Sequence, residues 1–150
     1  KKGLDNFYNC FLNRQSGKDN NRNFLLLVWD EWASYILSLD KKVAEEEKKK
    51  LAILLMLGRS FNVHALLCMQ RLDVAYIQSR DCINLVMAMG NLSEEGKEMM
   101  FHDYKKQMES NRRQGTGYLT INGTNFTPFV VPQVRNHELL NEYIQKAVQR

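Results

Sequence analysis

Two adjacent carboxylates follow a run of apolar residues early in the chain. Residues 24–29 read FLLLVW, and Asp30 and Glu31 come directly after them. A carboxylate at the end of a rigid strand suits Mg²⁺, which binds one or two protein carboxylates together with phosphate oxygens. A neighbouring carboxylate can orient a water molecule and accept its proton. The pattern therefore indicates hydrolysis of a nucleotide phosphate, with Asp30 holding the magnesium ion and Glu31 acting as the base.

This arrangement is the Walker B pattern, but the same residues also suit a plainer structure. Asp and Glu are favoured at the start of a helix, where the positive end of the helix dipole stabilises them. The segment that begins at Trp32 has a helical pattern. The residues alone leave both interpretations of Asp30 and Glu31 open.

A second polar pair ends the next apolar run. Gln70 and Arg71 follow VHALLCM at 63–69. If this run is a strand beside the first one, the amide of Gln70 can reach a terminal phosphate and sense whether it is still attached. Ordinary solvent-facing residues at a strand end are the alternative for both positions.

A phosphate-binding loop is missing from the sequence. The pattern G-x-x-x-x-G-K-[ST] occurs nowhere in the 150 residues, and the segment Ser16-Gly17-Lys18-Asp19 lacks the first glycine and the hydroxyl after the lysine. The backbone amides and the lysine of such a loop hold the β- and γ-phosphates. We therefore expect this chain alone to bind ATP poorly, to hydrolyse none and to carry neither bound ATP nor Mg²⁺.

Strands and helices must alternate to position these groups. Continuous apolar runs predict buried strands at 24–29, 63–69 and 83–89, and helical patterns at about 32–39 and 43–57 lie between the first two. The first half of the second helix, AEEEKKK, predicts a solvated face with Glu-to-Lys pairs. Such alternation predicts an α/β fold with a mostly parallel sheet and helices on both faces.

The later part of the chain predicts a different set of elements. Ser93 suits the N-cap of a helix that reaches Phe101, and 104–113 suits a helix on the surface. Asn122-Gly123 is a strong hairpin signal and predicts a late hairpin at one edge of the sheet. The pattern at 137–148 predicts a final amphipathic helix, and we expect its apolar side chains to pack onto the sheet.

Composition excludes several classes of protein. The net charge of +4 and the pI near 9.0 suit a polyanionic partner without proving one. The longest apolar run, 51–57, is far short of the roughly 20 residues that cross a bilayer, so we expect no membrane contact from this segment. The cysteines Cys10, Cys68 and Cys82 have no metal-binding spacing, and we expect reduced core thiols.

Four segments together resemble the C-terminal half of FtsK/SpoIIIE-type motor domains, of the HerA/FtsK superfamily. DEWASYI resembles the Walker B end, and LGRSFNVHALLCMQR resembles the helix-to-strand turn and the T-Q-R sensor strand. RDCINLVMAMGNLSEEGKEMMF and GTGYLTINGTNFTPFVV resemble the following strand and the closing Gly-rich hairpin. The resemblance covers 24–150 and is strongest to coupling-protein ATPases of Gram-positive conjugative elements. It implies a partial RecA-like P-loop NTPase fold, preceded by an N-terminal helix and loop at 1–23.

The resemblance implies roles for individual residues. Asp30 is the magnesium residue, Glu31 the catalytic glutamate and Gln70 the sensor, although Met69 stands where the family has threonine and Leu72 where it has proline. The arginines that could contact phosphate or a neighbouring subunit are Arg59, Arg71 and Arg80. For Arg80, a local ion pair with Asp81 is the alternative.

The loops that face the central channel of such motors carry DNA. By position, these are the segment around Lys41 and Lys42 and the segment 73–80, which includes Gln78. Such contacts bind DNA phosphates independently of base sequence and are sensitive to salt. A solvated helix start is the alternative for the two lysines.

The function implied by the resemblance is an ATP-driven DNA translocase of conjugation or segregation. Its parent uses ATP and Mg²⁺, assembles as a homo-oligomer, expected to be a hexameric ring, and works in the cytoplasm at the inner face of the cell membrane. Two alternatives stay open at this point: a motor that exports proteins, or a non-catalytic module that recruits a relaxase or another transfer protein through the helix at 137–148.

Overall fold

The structure, a computed structural model, describes residues 2–70 and 75–149. Helix α1 (Lys2–Gln15) opens the chain, and strand β1 (Leu25–Trp29) leads into helix α2 (Trp32–Leu37) and helix α3 (Lys41–Leu57). Strand β2 (Val63–Leu67) follows. The later elements are strand β3 (Leu85–Met89), helix α4 (Glu94–Phe101), strands β4 (Thr116–Ile121) and β5 (Thr124–Val130), and helix α5 (His137–Val148).

Strands β1 and β2 form a parallel pair, in register from Leu25 opposite Val63 to Trp29 opposite Leu67. The α/β class expected from the sequence is therefore confirmed. Gly58, at the end of α3, permits the tight entry into β2, because a Cβ there would lie 2.4 Å from the carbonyl oxygen of Val63. Only glycine fits between the helix end and the strand.

One face of the parallel pair packs against helices. Leu4 and Phe11 of α1, Trp32 of α2 and Leu51 of α3 are fully or almost fully buried in one hydrophobic cluster. Alternate residues of β1 pack against this cluster, as the two-residue period of a strand requires. Helix α1 therefore belongs to the core of this region.

The opposite face of the parallel pair is exposed. Leu26 and Val28 of β1 are 43% and 60% exposed, and Leu66 of β2 is 48% exposed. The expectation of helices on both faces therefore holds for one face only among the described residues. Alternation along a strand shows which residues share a face, but it does not show what covers that face.

Strand β3 pairs antiparallel with β4, and β4 pairs antiparallel with β5. Parallel pairing is thus limited to β1 and β2 in the described chain, and β3 makes no hydrogen-bonded ladder with β2. The predicted hairpin is confirmed: Asn122 and Gly123 both have positive φ, as a two-residue hairpin turn of this type requires. Gly117 lets β4 approach β3 closely, because a Cβ at this position would lie 2.2 Å from the carbonyl oxygen of Ala88 in β3.

A cleft separates β2 from β3. Two cavities of about 370 and 110 Å³ lie between the strands. The first is lined by 63–66 of β2 and 82–85, and the second by 65–67 of β2 and 85–87 of β3. From the first cavity to the second, the lining residues move toward the carboxyl end of both β2 and β3. The two strands therefore run in the same direction on either side of an open, mostly apolar cleft.

One predicted element differs in the structure, beside the smaller hydrophobic core of the β3–β5 sheet. Residues 104–113 were expected to form a helix, but only a short 3₁₀ segment at His102–Gln107 is present. The chain becomes extended at Met108, which is buried with Phe101 and Tyr118. Burying this side chain, together with the hydrogen bond from the Glu109 amide to the Tyr118 hydroxyl, outweighs continuation of the helix.

Other expectations about burial are wrong. Cys10 and Cys68 are exposed, so they are not core thiols. Met87 and Met89, which an apolar strand buried on both faces would hide, are about half exposed. Helix α5 has its capping hydrogen bond from the Leu139 amide to the Asn136 side chain, but no residue of it is buried. Packing onto the sheet therefore does not explain its apolar stripe.

Candidate nucleotide site at the carboxyl edge of the parallel strands

The structure brings the first two strand ends together at one edge. The amide of Cys68 donates to the carbonyl of Trp29 at 2.9 Å, and the amide of Trp32 donates to the carbonyl of Cys68 at 3.3 Å. Asp30 and Glu31 lie between these two bonds along the chain, and Gln70 follows Cys68 by two residues. The predicted catalytic residues and the predicted sensor therefore share the carboxyl edge, where ligands bind in open α/β sheets.

The backbone of Glu31 is in the left-handed region, with φ 57° and ψ 48°. A residue other than glycine in this region costs roughly 1–2 kcal/mol and persists where the surrounding structure holds it. Such conformations cluster at functional sites. The two hydrogen bonds that join the β1 exit to Cys68 hold this turn in place.

The structure places Glu31 at the start of α2, as the helix-start alternative for the two carboxylates expects, but it leaves both side chains open to solvent. Glu31 is the N-cap residue of α2, but its side chain makes no capping hydrogen bond, and the first turn of α2 contains no acidic residue. Asp30 is exposed and Glu31 is partly exposed. Both carboxylates are therefore open to a ligand, and an exposed carboxylate at a strand end fits a magnesium ion that also binds phosphate oxygens.

An aromatic cluster supports the turn that carries the carboxylates. The rings of Trp29 and Trp32 meet edge to face with centroids 5.5 Å apart, and Tyr35 lies 4.7 Å from Trp29 and 5.7 Å from Trp32. These side chains flank Asp30 and Glu31 on both sides in sequence. Aromatic pairs in such geometry add about 0.5–1.5 kcal/mol each beyond their buried area.

A partly buried polar network, with the fully buried carboxylate of Glu47 at its centre, anchors the same cluster to two other helices. The Tyr35 hydroxyl donates to Glu47 Oε2 at 3.1 Å, and Lys50 Nζ donates to Glu47 Oε1 at 2.7 Å and to Asp5 at 2.5 Å. The network therefore joins α1, α2 and α3 behind the site. Burial, then the charge of Glu47 and the hydrogen bond to it, raises the pKa of Tyr35 to about 12. The carboxylates of Asp5 and Glu47 raise the pKa of Lys50 above its usual value.

Sequence reasoning missed this network. The segment AEEEKKK predicted a solvated face, yet the side chain of Glu47 is 1% exposed. The available signal was helical spacing, because Ala44, Glu47, Leu51 and Leu54 lie on one face of α3 and all are buried. A charged residue on an apolar face is buried only with partners, which here are Tyr35 of α2 and Lys50 of α3.

The predicted arginines do not all lie near the carboxylates. Arg59 precedes β2 and lies at the opposite end of the strand from Gln70, where it lines the larger cavity between β2 and β3. Arg80 pairs with Asp81 at 3.8 Å, the surface ion pair considered as its alternative. Arg71 lies outside the described residues. Neither described arginine therefore meets Asp30 and Glu31 at the carboxyl edge of β1 and β2.

The predicted DNA-contacting residues lie near α3. Lys41 and Lys42 form the first turn of α3, and both are exposed. Gln78 is exposed, and its side chain donates to Glu45 Oε2 at 2.9 Å. Of the predicted segment 73–80, residues 73 and 74 lie outside the described residues. Both sets of candidates thus lie on or against the same helix.

Within residues 2–70 and 75–149, no helix combines the length and the apolar character that a bilayer crossing needs. No trio of histidine, cysteine, aspartate or glutamate side chains in that part of the chain is arranged to hold a metal ion by itself. A magnesium ion at Asp30 would therefore take most of its ligands from a nucleotide and water.

The fold is a partial α/β domain with two carboxylates directly after its first strand, and comparison with known proteins agrees with this fold. The chain is similar to "Ftsk domain-containing protein YdcQ" of Bacillus subtilis strain 168, with 29% identity over 112 residues, which cover 73% of this chain and 23% of that protein. It has the fold of the cytoplasmic domain of the type VII secretion ATPase EccC of Thermomonospora curvata, with a TM-score of 0.65 and 17% identity over 87% of this chain and 18% of that one. No family model matches the chain.

These comparisons confirm the resemblance to FtsK-type proteins that the sequence segments indicated. The chain spans about a quarter of the length of the curated relative and less than a fifth of the solved structure.

Proposed function

We propose that this chain is the Walker B and sensor half of an ATP-driven DNA translocase, with a conjugative coupling ATPase as the specific role. The observation that carries the proposal is the shared carboxyl edge of β1 and β2, where Glu31 is held in a strained conformation beside Asp30. The FtsK-domain relative supports the class of motor. In this proposal the full-length protein hydrolyses ATP and moves DNA.

Each residue at the edge has a defined task. Asp30 would hold Mg²⁺, and that ion would neutralise charge at the phosphates. Glu31 orients the attacking water and accepts its proton. Gln70, at the end of the neighbouring strand, contacts the terminal phosphate. The exposure of Asp30 and Gln70 and the partial exposure of Glu31 support these tasks, since a bound nucleotide needs access to all three.

The cleft between β2 and β3 supports a location for the missing phosphate loop. The two strands run in the same direction without pairing, and apolar side chains line the space between them. A strand from elsewhere in the full-length protein, inserted there, would pair with both edges and complete a parallel sheet. Its carboxyl end would then emerge beside Gln70. We propose that this strand carries the loop, and that the 150 residues alone bind ATP poorly and do not hydrolyse it.

Electrostatics at the start of α3 support a contact with DNA. Lys41 and Lys42 place two positive charges at the positive end of the helix dipole, where the N-cap residue Asp40 supplies one carboxylate and the first turn supplies none. This arrangement opposes helix stability but concentrates positive potential, as binding of a phosphate backbone requires. The proposed ring, a homo-hexamer in the cytoplasm at the inner face of the membrane, would turn this surface toward the channel, and Arg59 is the candidate for a subunit interface.

Lys41 and Lys42 provide a test in which helix stability and DNA affinity are expected to change in opposite directions. We expect Lys41→Glu with Lys42→Glu to stabilise α3 by about 0.3–1 kcal/mol per charge, because the dipole interaction reverses. The same change should weaken binding of the full-length protein to random-sequence DNA and reduce the steepness of its salt dependence. Urea unfolding and DNA titrations at several salt concentrations measure the two effects. Unchanged DNA affinity would show that Lys41 and Lys42 do not contact DNA.

Glu31→Gln in the full-length protein tests the catalytic assignment. We expect ATP turnover to fall about 10²–10⁴-fold while ATP binding is retained, because the amide keeps the shape but cannot accept the proton. Glu46→Gln is the matched control, since it makes the same change at an exposed site on α3. Undiminished turnover in the Glu31 variant would show that the catalytic assignment is wrong.

Protein export is a second candidate, favoured by the fold shared with a type VII secretion ATPase. The two functions differ in what the channel surface must bind. Salt-dependent binding of the full-length protein to random-sequence DNA supports the DNA motor, whereas DNA binding that is absent at low salt supports export.

A further inference from the structure

Tyr35 of α2 contacts the turn that carries Asp30 and Glu31 at three points. Its amide donates to the carbonyl of Glu31 at 3.2 Å. Its ring centroid lies 4.7 Å from that of Trp29, which precedes the two carboxylates, and 5.7 Å from that of Trp32, which follows them. Tyr35 therefore contacts this turn at its entry, at its exit and at the backbone of Glu31 itself.

The hydroxyl of Tyr35 is held by α3. It donates to Glu47 Oε2 at 3.1 Å, and Lys50 Nζ donates to the other oxygen of the same carboxylate at 2.7 Å. The side chain of Glu47 is 1% exposed. A carboxylate buried among close-packed neighbours, with both oxygens hydrogen-bonded, has little freedom to move. The position of the Tyr35 ring is therefore set by α3 as well as by its own helix.

The turn needs such support because Glu31 is left-handed, with φ 57°. A residue other than glycine keeps this conformation only where its surroundings hold it. Relaxation to a negative φ would change the direction of the Glu31 side chain relative to Asp30, since a side chain follows the backbone angles at its own Cα. A catalytic group that is displaced by about 1 Å can lose about 10²-fold in rate.

We propose that Tyr35 is a positioning residue for ATP hydrolysis: it connects α2 to the buried Glu47 and so keeps Glu31 where it accepts the proton of the attacking water. In this inference Tyr35 acts only through Glu31. It therefore affects the rate of the chemical step, whereas ATP binding, which depends on Asp30 and Gln70, does not change. The inference rests on the proposed function, with Glu31 as the base.

A conservative variant of the full-length protein tests this role. Tyr35→Phe keeps the ring and removes the donor to Glu47. Tyr8→Phe is the matched control, because Tyr8 packs against the same hydrophobic cluster and its hydroxyl makes no hydrogen bond among the described residues. Each change is made in the unaltered protein and in the Glu31→Gln variant. The measurements are kcat and KM for ATP, together with the ATP affinity of each Glu31→Gln form, which shows whether the site is folded.

We expect Tyr35→Phe to lower kcat about three- to tenfold where Glu31 is present, with KM for ATP changed less than about twofold. In the Glu31→Gln background the same change should lower kcat less than about twofold, because the group that Tyr35 positions is already lost. Tyr8→Phe should leave kcat unchanged in both. A loss of the same proportion in both backgrounds would show a merely structural role and overturn the proposal, as would full turnover in Tyr35→Phe.

Glu47→Gln weakens the same hydrogen bond from the other side and decides the question if Tyr35→Phe does not fold. It keeps the shape of the acceptor but removes the charge that strengthens the bond. We expect the same dependence on Glu31, and equal losses in both backgrounds would again overturn the proposal.

Failure of the proposed function gives a different result. In that case Glu31→Gln leaves turnover undiminished, and the inference about Tyr35 fails together with the catalytic assignment. If Glu31→Gln lowers turnover while Tyr35→Phe and Glu47→Gln keep it in full, the ATPase assignment stands and the inference about Tyr35 is wrong.

Discussion

The parallel region, from α1 to β2, and the antiparallel region, from β3 to β5, stabilise their strands in different ways. In the parallel region, helices cover one face of the strands, and the hydrogen-bonded network of Glu47, Lys50, Tyr35 and Asp5 joins three helices. In the antiparallel region, Phe126 stacks on Tyr118 and Tyr104, and Arg112 lies 4.0 Å from the Tyr118 ring. The charged network thus lies behind the candidate site, where it restrains the helices that follow Asp30 and Glu31.

Each region has an almost fully buried charged residue, but their partners differ. Glu47 accepts from Tyr35 of α2 and from Lys50 of its own helix, and Lys50 also donates to Asp5 of α1. Lys97 is 4% exposed, and its partner Glu94 is largely exposed one turn earlier on the same helix. Both ion pairs join residues one turn apart, but Tyr35 and Asp5 connect the Glu47–Lys50 pair to α2 and α1, whereas Lys97 and Glu94 both belong to α4. Only the first can therefore fix the relative positions of elements around a site.

The largest expected effect tests this contrast directly. Lys50→Met leaves the buried Glu47 carboxylate without its cation and should lower the free energy of unfolding by about 3 kcal/mol. Lys97→Met leaves only an exposed Glu94 unpaired, and we expect a change within about 1 kcal/mol, since a methionine of similar volume fills the same space. Urea unfolding of the 150-residue chain measures both. Equal losses of unfolding free energy in the two variants would show that the Glu47–Lys50 and Glu94–Lys97 pairs contribute equally to stability.

An intermediate effect is expected from pH. The pKa of Tyr35 is raised from 10.0 to about 12, so its contribution to stability is complete below pH 10 and is lost as the pH rises toward 12. The raised pKa of Lys50 acts in the same direction. Stability should therefore fall between pH 10 and 12, as urea midpoints across that range would show. Tyr35→Phe should make the fall shallower, with the Lys50 contribution remaining. An unchanged slope would show that burial and the contact with Glu47 do not raise the pKa of Tyr35.

The smallest effect is expected at the end of the chain. Removal of 136–150, which includes α5, should change the free energy of unfolding by less than about 0.5 kcal/mol, because no residue of α5 is buried. Thermal and urea unfolding of the shortened chain test this. A loss above about 1 kcal/mol would show that α5 packs against the rest of the chain in solution.

Much of the local structure was predictable. The three apolar runs form strands, Ser93 caps α4 through its hydrogen bond from Gly96, and Asn122-Gly123 forms the hairpin turn. Each of these depends on a few adjacent residues, whose preferences act over a short range. The candidate site was predictable in part for the same reason, because Asp30 and Glu31 follow their strand directly.

Other features depend on contacts between residues far apart in the chain. The pairing of β3 with β4, the uncovered faces of β1 and β3, and the burial of Glu47 follow from which elements meet. Residues 104–113 are the clearest example: their pattern predicted a helix, but the chain is extended at Met108, whose side chain is buried. Local preference is worth tenths of a kcal/mol per residue, whereas burying one large apolar side chain is worth about 1.5–3 kcal/mol.

The amino-acid sequence by itself determined which chemistry this chain can offer: two carboxylates after one strand and an amide after the next. Only the tertiary structure decided that these groups share one edge, that Glu31 is held in a left-handed turn, and that Trp32 joins this turn to Tyr76. The reason is physical. Residue types and spacing set the chemistry and the faces of each element, but the partners of those faces are chosen by packing over the whole molecule.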